Sequence, residues 1–152
     1  MHDTRFADVA QLLDCTCLDI YCQLPTAMLT PATAYAMYFV FATTDGHRGL
    51  SFLDQETTVS VGGRVVSRHA VCLRPNDVEA HRFMGDTGTD GGRSGIRGPT
   101  LRYDGWWEVE MGRLRTDDEA VAGKEVAVSF EVLGWYPKRG LIVEGIEFRP
   151  LM

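Results

Sequence analysis

The sequence lacks the features that would direct the chain into a membrane or onto a nucleic acid. No apolar run approaches the roughly 18 residues needed to span a bilayer. The first residues, MHDTRFADVAQLLD, have neither the basic start nor the apolar run of a secretion signal. The 15 basic residues are scattered and are outnumbered by 21 acidic ones, which gives a formal charge of −6. Because phosphate neutralisation requires clustered Lys and Arg, we expect no nucleic-acid partner.

Asparagine is also scarce, and the cysteines form no recognisable pattern. Asn76 is the only asparagine, and the residues after it, Asp77 and Val78, do not complete an N-glycosylation acceptor site. Without a secretion signal, we expect the chain in the cytoplasm or the nucleus, where thiols stay reduced. The four cysteines and the histidines match no common zinc spacing, so we expect neither a metal nor another cofactor.

The common catalytic motifs are missing too. The chain has no Gly-x-Ser-x-Gly and no paired His-Glu motif, and its glycine-rich stretch GDTGTDGG (85–92) lacks the Lys-Ser/Thr of a phosphate-binding loop. Glu108 and Glu110 are two apart on a predicted strand, which puts their Cα atoms about 6.5–7 Å apart. That separation overlaps the one between the carboxyls of inverting glycosidases, but any two acids at this spacing on a strand satisfy it. We therefore expect a non-catalytic protein.

Apolar periodicity predicts one short helix followed by strands. Four apolar residues recur at helical spacing over residues 4–13: Phe6, Val9, Ala10 and Leu13. From residue 15 onward the period changes to two, which is typical of half-buried strands. Residues 33–43 are rich in Tyr, Phe, Val and Thr, and this composition predicts a central strand.

Glycines separate the predicted strands. Gly62-Gly63 predicts a tight hairpin, and Asp45-Gly46 predicts a loop. Residues 85–100 contain six glycines and almost no apolar side chains, so we expect a mobile loop there. Many short strands, one helix and polar loops predict a single all-β domain over residues 1–152, built as a sandwich or a barrel. The predicted strands are 15–24, 33–43, 58–61, 65–73, 105–112, 125–133 and 140–149.

The strand at 105–112 carries the first candidate binding residues. Period two places Trp107, Val109 and Met111 on the core face. The opposite face then carries Trp106, Glu108 and Glu110. An indole packs well on the apolar face of a pyranose ring, and carboxylates accept strong hydrogen bonds from sugar hydroxyls. The alternative is an ordinary solvated face with one aromatic residue, which is common on protein surfaces.

Residues 124–140 carry the second candidate group. Val126, Val128 and Phe130 alternate as the buried side, which leaves Glu125, Ser129 and Glu131 facing outward. The aromatic residues that follow, Trp135 and Tyr136, stand beside two basic ones, Lys138 and Arg139. This composition is often found on recognition surfaces. The candidate binding residues of the chain are Trp106, Glu108, Glu125, Glu131, Trp135 and Lys138.

Several segments together resemble one known family. YDGWWEVEMG (103–112) and GLIVEGIEFRP (140–150) resemble the two most recognisable segments of the phloem protein 2 lectins of plants. Four further segments follow in that family's order: RFADVAQL (5–12), LDIYCQL (18–24), AMLTPATAYAMYFVF (27–41) and TVSVGG (58–63). The resemblance implies a jelly-roll-like antiparallel β-sandwich and a nucleocytoplasmic lectin connected with stress and defence. It also implies that N-acetylglucosamine-type or N-glycan oligosaccharides, free or on glycoproteins, are its partners.

The resemblance assigns part of the sugar site and leaves another part without a counterpart. Carried over by position, acidic residues thought to line the family's site correspond to Glu125 and Glu131, although this chain has one residue fewer before its Trp135 loop. The family usually begins with an extra segment whose tryptophans contribute to the site. None of the three tryptophans here falls before residue 100, so we expect that half of the site to be missing.

Two other interpretations stay open. In some relatives the domain follows an F-box and would present substrates to a ubiquitin ligase, so this chain could be a protein-interaction module that has lost sugar binding. A strand lost from the sandwich would leave an exposed sheet edge, which favours a protein partner or a homodimer. Alternatively, the chain is a degenerate copy that folds poorly alone.

Overall fold

The computed structural model describes residues 10–11, 18–52, 54–74, 96–134 and 136–151. Within these residues the chain forms nine strands and one 3₁₀ turn, Thr26–Met28. The strands are β1 (Ala10–Gln11), β2 (Leu18–Pro25), β3 (Ala34–Arg48), β4 (Gln55–Val61), β5 (Arg64–Val71), β6 (Thr100–Leu101), β7 (Trp107–Arg115), β8 (Glu125–Val132) and β9 (Arg139–Pro150).

The strands form two antiparallel sheets, which confirms the predicted β-sandwich. The five-stranded sheet has the order β1-β9-β3-β7-β6, and the four-stranded sheet has the order β2-β8-β4-β5. The aromatic strand β3 lies in the middle of its sheet, as its composition predicted. β7 and β8 follow one another in the chain but belong to different sheets, which decides where the candidate residues point.

Aromatic side chains from both sheets form the centre of the core. Phe39 of β3 stacks on Phe130 of β8 with ring centroids 5.0 Å apart, and Phe39 also stacks on Phe41 at 5.4 Å. All three rings are fully buried. The alternation predicted for β8 is confirmed, because Val126, Val128 and Phe130 are buried between the sheets.

The predicted glycine hairpin is also confirmed. β4 and β5 pair from Gln55↔Val71 to Val61↔Arg64 and are joined by Gly62-Gly63. Both glycines have positive φ, 59° and 83°. Two consecutive residues in this region form the turn whose twist matches that of the adjoining strands.

The predicted helix over residues 4–13 is wrong at Ala10–Gln11, which forms β1. This segment pairs antiparallel with β9, Ala10 opposite Val143 and Gln11 opposite Ile142. A short isolated helix is marginal in water, whereas pairing with a sheet edge satisfies backbone donors and acceptors. The rest of the predicted helix lies outside the described residues.

Two loop predictions also need correction. Asp45-Gly46 lies within β3, in an irregular stretch where the pairing with β9 shifts between Thr43 and Arg48. In the predicted loop over 85–100, Arg97 forms a parallel bridge with Val71, and β6 begins at residue 100. A segment with few apolar side chains can still pair through its backbone with a sheet edge, so the low apolar content did not exclude β-structure there. Residues 85–95 lie outside the described part of the chain.

Candidate functional site

Trp106 lies on the outer face of the five-stranded sheet but is covered. It is 2% exposed and packs with Val40 and Ala42 of the neighbouring strand β3. The predicted core side of β7 is confirmed for the buried Val109 and Met111, while Trp107 is half-buried against the same core. The indole Nε1 of Trp106 has no hydrogen-bond partner in the structure as described. The face was predicted correctly, but a covered indole is not available for stacking on a sugar.

Glu108 is held by two arginines on that same outer face. Its two carboxylate oxygens accept hydrogen bonds from Arg149 at 2.9 and 3.0 Å, and Arg102 approaches to 3.6 Å. Arg149 also donates to Glu147 at 3.0 Å and lies 4.0 Å above the Tyr38 ring. Hydrogen bonding to Glu108 raises the pKa of Arg149, so this guanidinium stays charged. The Glu108 carboxylate therefore serves an internal ion-pair network.

Glu125 and Glu131 lie on the outer face of the other sheet. Both belong to β8, whose outward side chains are separated from the five-stranded sheet by the whole core. Gln23 of β2 donates to Glu125 at 2.9 Å. Glu131 stands directly between Asp19 of β2 and Glu56 of β4. No hydrogen bond or ion pair from a described residue reaches the carboxylates of Asp19 or Glu131.

An exposed tyrosine accompanies these carboxylates. Tyr21 of β2 is 63% exposed and lies opposite Ser129 of β8, diagonally adjacent to Glu131. Between Glu125 and Glu131 the outward residues of β8 are small, and those of β4 beside them are small as well. We call this surface the β8 trough; it comprises Tyr21, Gln23, Thr58, Ser60, Glu125, Ala127, Ser129 and Glu131.

Lys138 is part of the loop before β9 and is completely buried. Its ammonium group donates to the carbonyl oxygens of Gly134 and of Tyr136, the latter at 2.8 Å, and lies 4.3 Å from the centre of the Tyr136 ring. The Tyr136 hydroxyl donates in turn to Asp54. Lys138 therefore organises the loop from inside, and its buried ammonium faces the loop's own backbone. Trp135 lies outside the described residues.

Of the six predicted residues, the five that the structure describes thus do not converge on one patch. Trp106 and Glu108 lie on one sheet, Glu125 and Glu131 on the other, and Lys138 is inside a loop. The residue that the sequence analysis missed is Tyr21. The alternation of exposed side chains along β2 puts Tyr21 on the outer side, but only the pairing of β2 with β8 brings it beside Glu131.

Metal-binding and thiol chemistry add little to this site. Across the described ranges, no three His, Cys, Asp or Glu side chains are grouped as metal ligands. Cys22 is a half-buried free thiol, and burial raises its pKa; the buried Cys72 thiol donates to the carbonyl oxygen of Ser51 at 3.4 Å. The described part of the chain also contains no helix with the length and apolar character needed to cross a membrane.

Comparisons with known proteins agree with the sequence resemblance. The profile of the phloem protein 2 family matches residues 1–150. In Arabidopsis thaliana, F-box protein PP2-B15 is 33% identical over 97% of this chain and 55% of its own length. F-box protein PP2-B10 is 34% identical over 97% and 50%, and F-box protein SKIP3 is 31% identical over 97% and 48%. The chain spans about half the length of these relatives.

One solved structure overlaps most of the chain without informing its function. A ruminal GH26 endo-β-1,4-mannanase covers 95% of this chain and 20% of its own length, with a TM-score of 0.33 and 15% identity. That likeness is too distant to support an argument. The profile match, by contrast, extends over nearly the whole sequence, and it shows that this chain belongs to the phloem protein 2 family.

Proposed function

We propose that this chain is a non-catalytic glycan-recognition domain that binds oligosaccharides along the β8 trough. The observation that carries the proposal is the exposed Tyr21 ring beside the Glu131 carboxylate, which no described side chain engages. Both residues lie on paired strands and are therefore held in fixed positions. Family membership supports glycans of the N-acetylglucosamine type as the ligand class.

The chemistry of the trough suits a polyhydroxyl ligand. A tyrosine ring can pack on the apolar face of a pyranose, which contributes about 0.5–1.5 kcal/mol beyond the buried area. Like charges directly opposite one another on neighbouring strands are destabilising, and Asp19 and Glu131 face one another in this way, whereas Glu56 on the other side of Glu131 is paired with Arg68 at 3.6 Å. Sugar hydroxyl groups donating to these carboxylates would relieve that repulsion with charge-assisted hydrogen bonds.

The length of the trough favours an oligosaccharide over a single sugar. Glu125 and Glu131 are six residues apart on one strand, which places their Cα atoms about 20 Å apart. One pyranose ring cannot reach both carboxylates. We therefore expect affinity to increase with the number of sugar units until the ligand extends from Glu131 to Glu125.

Charge pairing on the other sheet supports the non-catalytic part of the proposal. Glu108 is occupied by Arg149, and Glu110 accepts from Arg113 at 2.9 Å and lies 3.3 Å from Arg97. The two acids that resemble a glycosidase pair by spacing are thus both engaged by arginines. Neither is placed as a free general acid or base.

Calorimetric titration with chito-oligosaccharides of increasing length tests the proposal. Glu131→Gln should weaken binding by about 10-fold to 100-fold, since a hydrogen bond to a charged acceptor contributes about 1.5–3 kcal/mol. Tyr21→Ala should weaken it by a few-fold to about 10-fold. Glu119→Gln, at an exposed turn residue outside the trough, is the matched control and should bind as the unmodified chain does. Flat titrations at millimolar ligand, or equal binding by all variants, would contradict the proposal.

A protein-interaction role is the second candidate, and the names of the relatives favour it. The relatives are named F-box proteins, and this chain matches about half of their length. Pull-down from a plant extract, repeated with excess free oligosaccharide, separates the two roles. Release of the captured proteins by sugar favours glycan recognition, whereas capture that is indifferent to sugar favours a protein-binding surface.

A further inference from the structure

The strand β5 forms one edge of the four-stranded sheet, and among the described residues part of that edge has no neighbouring strand. One side of β5 pairs with β4. On the other side, Arg97 donates to the carbonyl of Ala70 and accepts from the amide of Cys72, each at 2.9 Å. In the described residues no backbone hydrogen bond occupies this side of β5 over Arg64–Arg68.

The bonds to Arg97 fix which backbone groups face outward. Since the carbonyl of Ala70 and the amide of Cys72 point to the open side, the two-residue period of a strand directs the amide and carbonyl of Arg68 the same way. Unpaired groups of this kind are a template for another strand. Arg97 already pairs with the end of this edge at Ala70 and Cys72, which indicates that the edge accepts extended backbone.

The side chains along the open edge are apolar and basic. Val65 and Val66 are 48% and 50% exposed, and Arg64 is exposed as well. The Arg68 side chain is 58% exposed and lies 3.6 Å from Glu56. Such an exposed ion pair is weak, so a competing carboxylate can engage Arg68. A basic, partly apolar strand edge stands out on a chain whose formal charge is −6.

We propose that the open edge of β5 binds an extended, acidic polypeptide segment by strand addition. Backbone hydrogen bonds to the outward amide and carbonyl of Arg68 provide the pairing, the exposed valines provide apolar contact, and the two arginines select carboxylates. This partner is a different class from the glycan proposed above. Its binding edge does not include Tyr21 or Glu131, so either proposal can fail while the other stands.

Charge argues against one competing occupant, and backbone chemistry argues against another. A second copy of the chain paired through β5 would bring four arginines together, and like charges on adjacent strands are destabilising. A nucleic acid would satisfy the arginines but cannot complete a β-ladder, which requires amide donors and carbonyl acceptors.

Fluorescence anisotropy with a labelled peptide of about eight residues, alternating Glu and Val, tests the charge requirement. The Arg64→Glu/Arg68→Glu variant should bind this peptide at least about 10-fold more weakly than the unmodified chain. Arg113→Glu/Arg115→Glu changes two exposed arginines of the other sheet and is the matched control, which should retain binding. Thermal melts of both variants verify that they fold. Equal binding by the Glu/Val peptide and its Lys/Val counterpart, or by single-stranded DNA, would overturn the proposal.

Backbone pairing needs its own test, because charge attraction alone could retain an acidic peptide. Two versions of the peptide carry N-methyl groups on alternate residues, in opposite registers, with the charge unchanged. Strand addition predicts that methylation in one register abolishes binding, since it removes the donors facing β5. The peptide methylated in the other register keeps those donors and should still bind. If both versions bind like the parent peptide, or if sedimentation shows the chain pairing with itself through this edge, strand addition by an acidic partner is wrong.

Discussion

The two lysines of the chain, Lys124 and Lys138, show how differently one residue type is used here. Lys138 is fully buried and donates to the carbonyl oxygens of Gly134 and Tyr136, whereas the Lys124 side chain is exposed in a turn. Lys138→Met should lower the free energy of unfolding by about 1–3 kcal/mol, because buried acceptors lose their donor. Lys124→Met should change it by less than about 0.5 kcal/mol. Urea denaturation at neutral pH measures both values.

This comparison also tests the assignment of Lys138 as a structural residue. If Lys138→Met left stability unchanged but removed oligosaccharide binding, the lysine would belong to the recognition surface that the sequence predicted. The sequence could not settle this point, since a lysine among aromatic residues is compatible with a binding loop and with a packed one. Burial by the loop's own fold decides its role.

Among the structural elements, the β4–β5 hairpin depends most directly on local sequence. Gly62 and Gly63 adopt φ of 59° and 83°, a region that most side chains occupy at a cost of about 1–2 kcal/mol. A Cβ at Gly62 would meet only the side chain of Lys124, with its Cδ at 3.2 Å, so backbone conformation limits this position more than space does. We expect Gly62→Val to lose about 1–2 kcal/mol of stability and Gly62→Asn to be nearly neutral, because asparagine tolerates this conformation.

Parallel urea titrations of the two Gly62 variants check the prediction, and amide exchange along β5 reports whether the strand keeps its register. Equal stability of the valine and asparagine variants would show that the turn relaxes to another type. The register matters for function, because a slip of one residue would turn Arg68 from one face of the sheet to the other.

Other features of the elements could not be predicted from the sequence. The strands were largely predictable because their alternation is local. The close approach of the two sheets at Gly112 was not, since it depends on Val59 from another strand. A Cβ at Gly112 would lie 2.5 Å from a methyl carbon of Val59. Similarly, the residues around Ala10–Gln11 do not indicate that this segment pairs with the edge of β9.

For the whole molecule, strand order decides which candidate residues meet. Leu18 pairs with Val132 across more than a hundred residues, and this pairing places Tyr21 beside Glu131. The assignment of β7 and β8 to different sheets separates Glu108 from both acids of β8. Apolar periodicity does not show which distant strands pair with one another. The sequence therefore predicted the outward faces of the strands but not their arrangement into a site.

The shared aromatic core predicts that both sheets unfold together, which also tests whether the chain is one domain. Phe130 of the four-stranded sheet is fully buried and stacks on Phe39 of the five-stranded sheet at 5.0 Å. Phe130→Ala should lower the free energy of unfolding by about 3–5 kcal/mol. Leu133→Ala, at a residue that is 52% exposed, is the control and should change it by less than about 0.5 kcal/mol.

The decisive measurement is whether far-UV circular dichroism and tryptophan fluorescence give one coincident transition. Trp106 and Trp107 border the five-stranded sheet, so their fluorescence reports its loss when the substitution lies in the other sheet. Both probes should shift together in Phe130→Ala, because the Phe39–Phe130 stack belongs equally to the two sheets. Two separated transitions would mean that each sheet retains its structure without the other. The β8 trough could then persist while the five-stranded sheet is unfolded.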